Sequence, residues 1–330
     1  MASRILLIIF ALATAPSALH AATEVAELAS RFAPLILHAA DEPSLPASVD
    51  WFLPKTRLTF HNSKCPIDAK NFGTPSFDTL ESAEIRSVCG TSVYTASGTR
   101  SQSRSTTFIL EDVAVQDKRG SSNPLDWATY FHAYKNSLDG TTIQYWSFYP
   151  FNEGLRAGVL DVGSHGGDWE MVSVVLDANE RPVMVRMTGH TQMKASAWSE
   201  IKKEGLHPVF RTERGAHEAH PIRTTEQGNV QGIRRPTWPG GVAQFPDGRR
   251  GTVGPLVDLG TKLRPKVAFL RYSGLWGSLG VTPISSGYWG PAFNETAMQQ
   301  NGFLAAWCDD VLEPELAVGN SRECYADDPQ

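Results

Sequence analysis

Apolar and polar positions along this chain alternate with a period of two more often than with the longer period of a helix. Runs rich in β-branched and aromatic residues, divided by Gly, Asn, Asp and Pro, predict strands at Thr106–Val115, Thr129–Lys135, Thr142–Phe148, Asp168–Leu176, Pro182–Thr188 and Val267–Tyr272. Helical spacing is confined to three short stretches. The first opens at Thr23, gathers Val25, Leu28 and Phe32 on one side, and stops before Pro34; the others are Ala197–Glu204 and Thr296–Trp307. Between Thr212 and Arg264 the chain is dense in Gly, Pro, Arg and polar residues and reads as a long loop region. Two segments, Gly274-Leu275-Trp276-Gly277 and Gly287-Tyr288-Trp289-Gly290, echo each other and read as turn and packing elements. The expected fold is mainly β: an antiparallel β-sandwich core with long loops and a few short helices.

The N-terminus changes the picture of where such a fold operates. Arg4, the apolar run Ile5 to Ala13 and small residues through Ala22 have the layout of a secretory signal peptide. Residues 1–21 are expected to be removed, leaving 22–330 as a single secreted β-rich domain. The apolar run is too short to span a bilayer and no second one follows, so no transmembrane segment is expected. Removal takes away Arg4 and no acid, which moves the formal net charge from −5 to −6 and argues against nucleic acid as a partner. An even set of cysteines in an exported chain predicts disulfides. Proximity favours Cys65 with Cys89 and Cys308 with Cys324 among the three connectivities, and no Cys-x-x-Cys pair speaks for zinc. Asn294-Glu295-Thr296 fits a glycosylation acceptor.

Candidate chemistry concentrates in His165-Gly166-Gly167-Asp168-Trp169-Glu170. On a strand, Asp168 and Glu170 share a face at roughly 6.5–7 Å, and two carboxylates there repel unless something positive lies between them. The glycines let the preceding loop curl so that His165 reaches the same place. Two carboxylates and an imidazole suit a divalent cation, Ca²⁺, Mg²⁺ or Mn²⁺ ahead of Zn²⁺. His190, His207, His217 and His220 follow downstream; His217 stands out because Gly215 permits a tight turn beside it. There is no Gly-x-Ser-x-Gly elbow and no phosphate-cradling glycine loop followed by Lys.

Several collinear segments resemble one family. Arg31-Phe32-Ala33-Pro34-Leu35, Ser48-Val49-Asp50-Trp51-Phe52, Ile143 to Asn152, the His165 to Glu170 motif, Gly189-His190, Trp198-Ser199-Glu200, His207-Pro208-Val209, Gly215-Ala216-His217 and Trp276-Gly277 look like the family named after vacuolar protein sorting-associated protein 62. Where that family has Gly-Ser-His-Ala, this chain has Gly215-Ala216-His217-Glu218. A narrower resemblance concerns the metal motif: His165, Asp168 and Glu170, with Trp169 between the acids, are similar to the motif of secreted necrosis- and ethylene-inducing peptide-like proteins. Those are β-sandwich cytolysins that bind a divalent cation and plant sphingolipid headgroups. The resemblance implies ligand roles for His165, Asp168 and Glu170 and a further upstream acid, for which Asp161 is the nearest candidate although its spacing differs.

Three functions stay open on these residues. The first is a secreted protein that binds a lipid or glycan headgroup through a divalent-cation site, with membrane damage as a consequence. The second is a metal-dependent hydrolase of phosphate or glycosidic esters, and the third a structural extracellular module.

Overall fold

Three sheets stack face to face in the computed structural model, which describes residues 18–293 apart from the internal segments 99–101, 112–113, 137, 158–159, 189–192, 227–231, 262–263 and 281–284. The central sheet has the order β13 (Met193–Ala197), β12 (Pro182–Thr188), β11 (His165–Leu176), β8 (Thr141–Asn152), β7 (Thr129–Lys135) and β20 (Leu256–Asp258). Its pairs are antiparallel except β20 on β7. One face is covered by β14 (Lys203–Glu204), β15 (His207–Thr212), β1 (Leu35–Ala39), β17 (Gly232–Pro236), β18 (Val242–Gln244) and β19 (Arg250–Thr252), with β16 (Ala219–Pro221) paired to β15. The other face meets β3 (Lys70–Gly73), β2 (Arg57–Asn62) and β6 (Thr106–Glu111). Two small hairpins, β4 (Glu84–Arg86) with β5 (Val93–Thr95) and β9 (Leu155–Ala157) with β10 (Leu160–Val162), stand outside these layers.

Period-two alternation in β8 and β11 feeds two cores at once. Trp146, Phe148, Trp169 and Met171 point into an aromatic core shared with Leu58, Phe60, Phe108 and Trp276. Ile143, Tyr145, Val172 and Val174 point the opposite way, onto Ile36, Phe210 and helix α1 (Ala18–Phe32). Strands buried on both faces read as nearly continuous apolar runs, which is how these two appear in the sequence. Helix α1 seats Leu28, Ala29 and Phe32 in the second core, and Tyr145 donates its hydroxyl proton to the Ala29 carbonyl at 2.8 Å.

The mainly β, largely antiparallel expectation holds, and β7 and β12 fall on the residues the alternation predicts. Helix α1 starts ahead of Thr23 and runs across the expected cleavage point. Three expectations are corrected. Val267–Tyr272 is not a strand: Ala268–Arg271 forms a 3₁₀ turn that buries Phe269 and Leu270 against the aromatic core. The stretch from Thr212 to Arg264 is not merely loop, since β16 to β20 lie in it. Ala197–Glu204 is not a helix: after the end of β13 it forms the 3₁₀ turn Trp198–Glu200 and then β14 at Lys203–Glu204. Cys65 and Cys89 are disulfide-bonded. Residues 1–17, Asn294, Thr296–Trp307, Cys308 and Cys324 lie outside the described residues.

Candidate cation site

Trp169 explains why the two acids beside it are held where they are. Its indole packs on Phe148 at 4.9 Å, Trp276 at 5.2 Å and Tyr130 at 5.5 Å between ring centroids, anchoring β11 into the aromatic core. Strand alternation then turns Asp168 and Glu170 to the opposite face, beside their cross-strand neighbours Tyr149 and Ser147. The glycines ahead of them have a steric reason. Gly167 has φ +64°, and a Cβ there would lie 1.8 Å from the Trp276 carbonyl oxygen, so only glycine lets the Trp276-Gly277 backbone lie against this strand. The two echoing segments meet at that point: Trp276 N–H donates to the Tyr288 carbonyl at 2.8 Å, and Leu275 bridges Trp289.

Asp168 is buried and oriented by two partners. Asn152 donates its side-chain amide to Oδ2 at 3.2 Å and to the Ala216 carbonyl at 3.0 Å; the Nδ1–H of His217 reaches the same Oδ2 at 2.9 Å. His217 takes a left-handed backbone conformation, φ +62°, in the tight turn opened by Gly215 at φ +73°. Its ring lies flat on Tyr149, with centroids 3.8 Å apart and planes 6° apart. Its Nε2 is 3.1 Å from the Ser44 carbonyl and 3.4 Å from Glu42 Oε1. Both ring nitrogens therefore face acceptors, which only the doubly protonated imidazolium satisfies. Burial opposes that charge, yet the hydrogen bonds and attraction of Asp168 and Glu42 outweigh it and lift the His217 pKa to about 9.

Glu170 is in the opposite condition. No hydrogen bond or ion pair among the described residues reaches its carboxylate. Burial, then Asp168, Glu218 and Glu213, push its pKa well above the usual carboxylate range. It lines a narrow cleft between the central sheet and its β1 neighbour, together with Thr129, Tyr145, Ser147, Tyr149 and Thr212. Beneath Ser147 and Thr129 lies the fully buried Arg235, whose guanidinium donates to both hydroxyls at 2.8 Å.

The structure thus brings His165, Asp168, Glu170 and His217 to one locality, with some differences from the expected arrangement. His165 is buried, with Nε2 3.9 Å from Asp168 Oδ1 and its ring 4.5 Å from that of Tyr288. The ligand atoms of His165, Asp168 and Glu170 do not all come within 4.8 Å of one another; among the described residues that condition is met by Glu213, Glu218 and His220. Strand spacing keeps Asp168 and Glu170 apart, and Asp168 is turned toward His217. Asp161 lies on β10 opposite Arg156, and its side chain is outside the described residues, as is all of His190. His207 has a packing role, stacked on Trp238 at 3.8 Å with Nδ1 at 2.7 Å from the Ala33 carbonyl. Sequence reasoning singled out His220 but missed Asn152, Glu42 and the grouping of His220 with Glu213 and Glu218. Asn152 is the last residue of a strand whose alternation continues past Phe148, a signal that was there to find. Glu42 comes from a loop far away in the chain and leaves no local pattern.

No protein-family model matches the chain, the one named after vacuolar protein sorting-associated protein 62 included, and no curated protein matches its sequence. Among solved structures it is similar to necrosis and ethylene inducing protein 2 from the causal agent of cocoa's witches' broom disease, at 12% identity over 64% of this chain and 71% of that one, TM-score 0.32. It is also similar to NLPPya in complex with glucosamine, at 14% identity over 74% of this chain and 75% of that one, TM-score 0.34. The same protein in complex with mannosamine aligns at 13% identity over 74% and 76%, TM-score 0.33. At these values the likeness carries no functional weight.

Proposed function

We propose that the chain is a secreted protein that holds a divalent cation at the start of β11, on His165, Asp168 and Glu170, and uses it to bind a lipid or glycan headgroup, with membrane damage as a consequence. The observation that carries this reading is the carboxylate of Glu170, without a partner, in a cleft beside a second carboxylate. Such a group either takes up a proton or receives a positive charge. The surrounding hydroxyls and carboxylates are hard oxygen donors, which favour Ca²⁺, Mg²⁺ or Mn²⁺ over Zn²⁺. A bound cation supplies an electrophilic point to which headgroup oxygens attach. His217 and Asn152 fix the Asp168 carboxylate so that its remaining oxygen faces His165.

Binding is favoured over turnover by the state of His217. A general base needs a free lone pair within about 3 Å of the attacking water. Both nitrogens of His217 are engaged and its ring is covered by Tyr149, so it orients Asp168 and accepts no proton from a substrate. The test is vesicle or glycan binding with product detection in parallel. Glu170→Gln should weaken cation and headgroup binding together. Product formed in molar excess over protein, and abolished by Asp168→Asn, would replace this reading with the hydrolase.

A further inference from the structure

We propose that the cross-linked tip around Cys65 and Cys89 is a second docking surface, which seats on an anionic lipid bilayer at the same end of the molecule as the candidate cation site. Ile67 is 77% exposed and Val88 69% exposed, among the most exposed large aliphatic side chains in the described residues. Both belong to a tip built to be rigid. The disulfide closes it, and the buried Asp68 carboxylate accepts from Asn62 Nδ2 at 2.9 Å, Ser87 Oγ at 2.7 Å and the Val88 N–H at 2.9 Å. Carried on this frame, the two aliphatic side chains project into solvent, where they are available to an apolar partner.

Charge selects the partner. Lys64, Lys70 and Arg86 are exposed around the tip, while its acid, Asp68, is turned inward onto three donors. Glu84 pairs with Arg86 at 3.4 Å and sits at the far end of that hairpin, opposite Thr95. In a chain of formal net charge −5, this local excess of basic groups beside apolar ones fits the boundary between anionic headgroups and acyl chains.

A short series of contacts ties the tip to the cation site. Ser63 N–H donates to the Ser105 carbonyl at 2.8 Å. The adjacent Arg104 lies over the Trp289 ring at 4.7 Å and the Tyr288 ring at 5.7 Å, and Tyr288 is the residue that packs on His165. Arg104 has no acidic partner among the described residues and adds positive charge between the two places. The tip surface rests on the headgroup reading only in making a lipid the source of the headgroup.

The experiment is co-sedimentation of the full chain with vesicles of phosphatidylcholine alone, or with about a third phosphatidylserine, in chelator so that cation bridging is absent. Wild type should bind the anionic vesicles at low salt and be largely released at high salt. Ile67→Asp combined with Val88→Asp should lower binding at least about tenfold. The milder Ile67→Ser and Val88→Ser pair should lower it in the same direction, with no free thiol and an unchanged melting temperature as the folding control. Lys64→Glu with Lys70→Glu should remove the salt-sensitive part. Leu125→Asp, at a comparably exposed aliphatic position on the turn packed beside β19, should bind as wild type. Tip variants that bind like wild type, an equal loss in Leu125→Asp, or a wild type that ignores anionic vesicles would overturn the proposal. The cation-induced melting shift, measured on the same variants without vesicles, should be unchanged. Its absence in every variant would count against the cation site and leave the tip result standing.

Discussion

His217 is the residue whose role the structure enlarges most. From spacing it is an additional ligand beside a permissive glycine; in the fold it is a buried cation between Asp168 and Glu42. Its pKa of about 9 lies above the ordinary 6.5, so its contribution to stability is complete below pH 6.5 and is lost as pH rises through 9. That shift corresponds to a contribution on the order of 3 kcal/mol. Chelator-treated wild type should therefore lose stability to urea between pH 6.5 and 9.5, and His217→Gln should show a smaller slope, what remains coming from Glu170, whose pKa is also raised. An identical slope in the variant would place the titrating group elsewhere. That His165, Asp168 and Glu170 share one strand was legible, because a short motif holds them together. Their supports were not, because Glu42 and Asn152 reach Asp168 and His217 through tertiary folding.

Among the elements, the start of β11 depends on glycine at one position. Gly167→Ala meets both a left-handed φ and the Trp276 carbonyl, and should cost about 3 kcal/mol or more. Gly73→Ala shares the sign of φ, at +79°, but has open space around it, and should cost about 1 kcal/mol. Urea midpoints of the two variants would separate steric from conformational cost, and equal losses would contradict the packing described for Trp276. Strands of seven residues or more, such as β7 and β12, were readable from alternation alone. The strands of three to five residues from β16 to β19 are too short to show alternation, three of the four carry Arg, Gly or Pro, and all are held by their neighbours in the sheet, so they look like loop in isolation. Val267–Tyr272 has strand composition, yet burial of Phe269 against Tyr130, at 5.3 Å between rings, imposes a turn.

For the whole molecule, the third layer was the least legible feature. Alternation predicts a two-faced sandwich, but β8 and β11 are apolar on both faces, and only the folded chain reveals that β2, β3 and β6 cover one and β1, β15 and β17 the other. This layering leaves Glu170 in a cleft between sheets with Asp168 beside it on the same strand face, where a cation bound to the native arrangement would stabilise the whole fold. The most direct measurement is the melting temperature in chelator and then with calcium, magnesium or manganese at about a hundredfold excess over Kd. The account predicts that one of these ions adds roughly 3 kcal/mol, or ~5–10 °C, and that the rise disappears in Asp168→Asn. A melting temperature unmoved by chelator and by all three ions would contradict it.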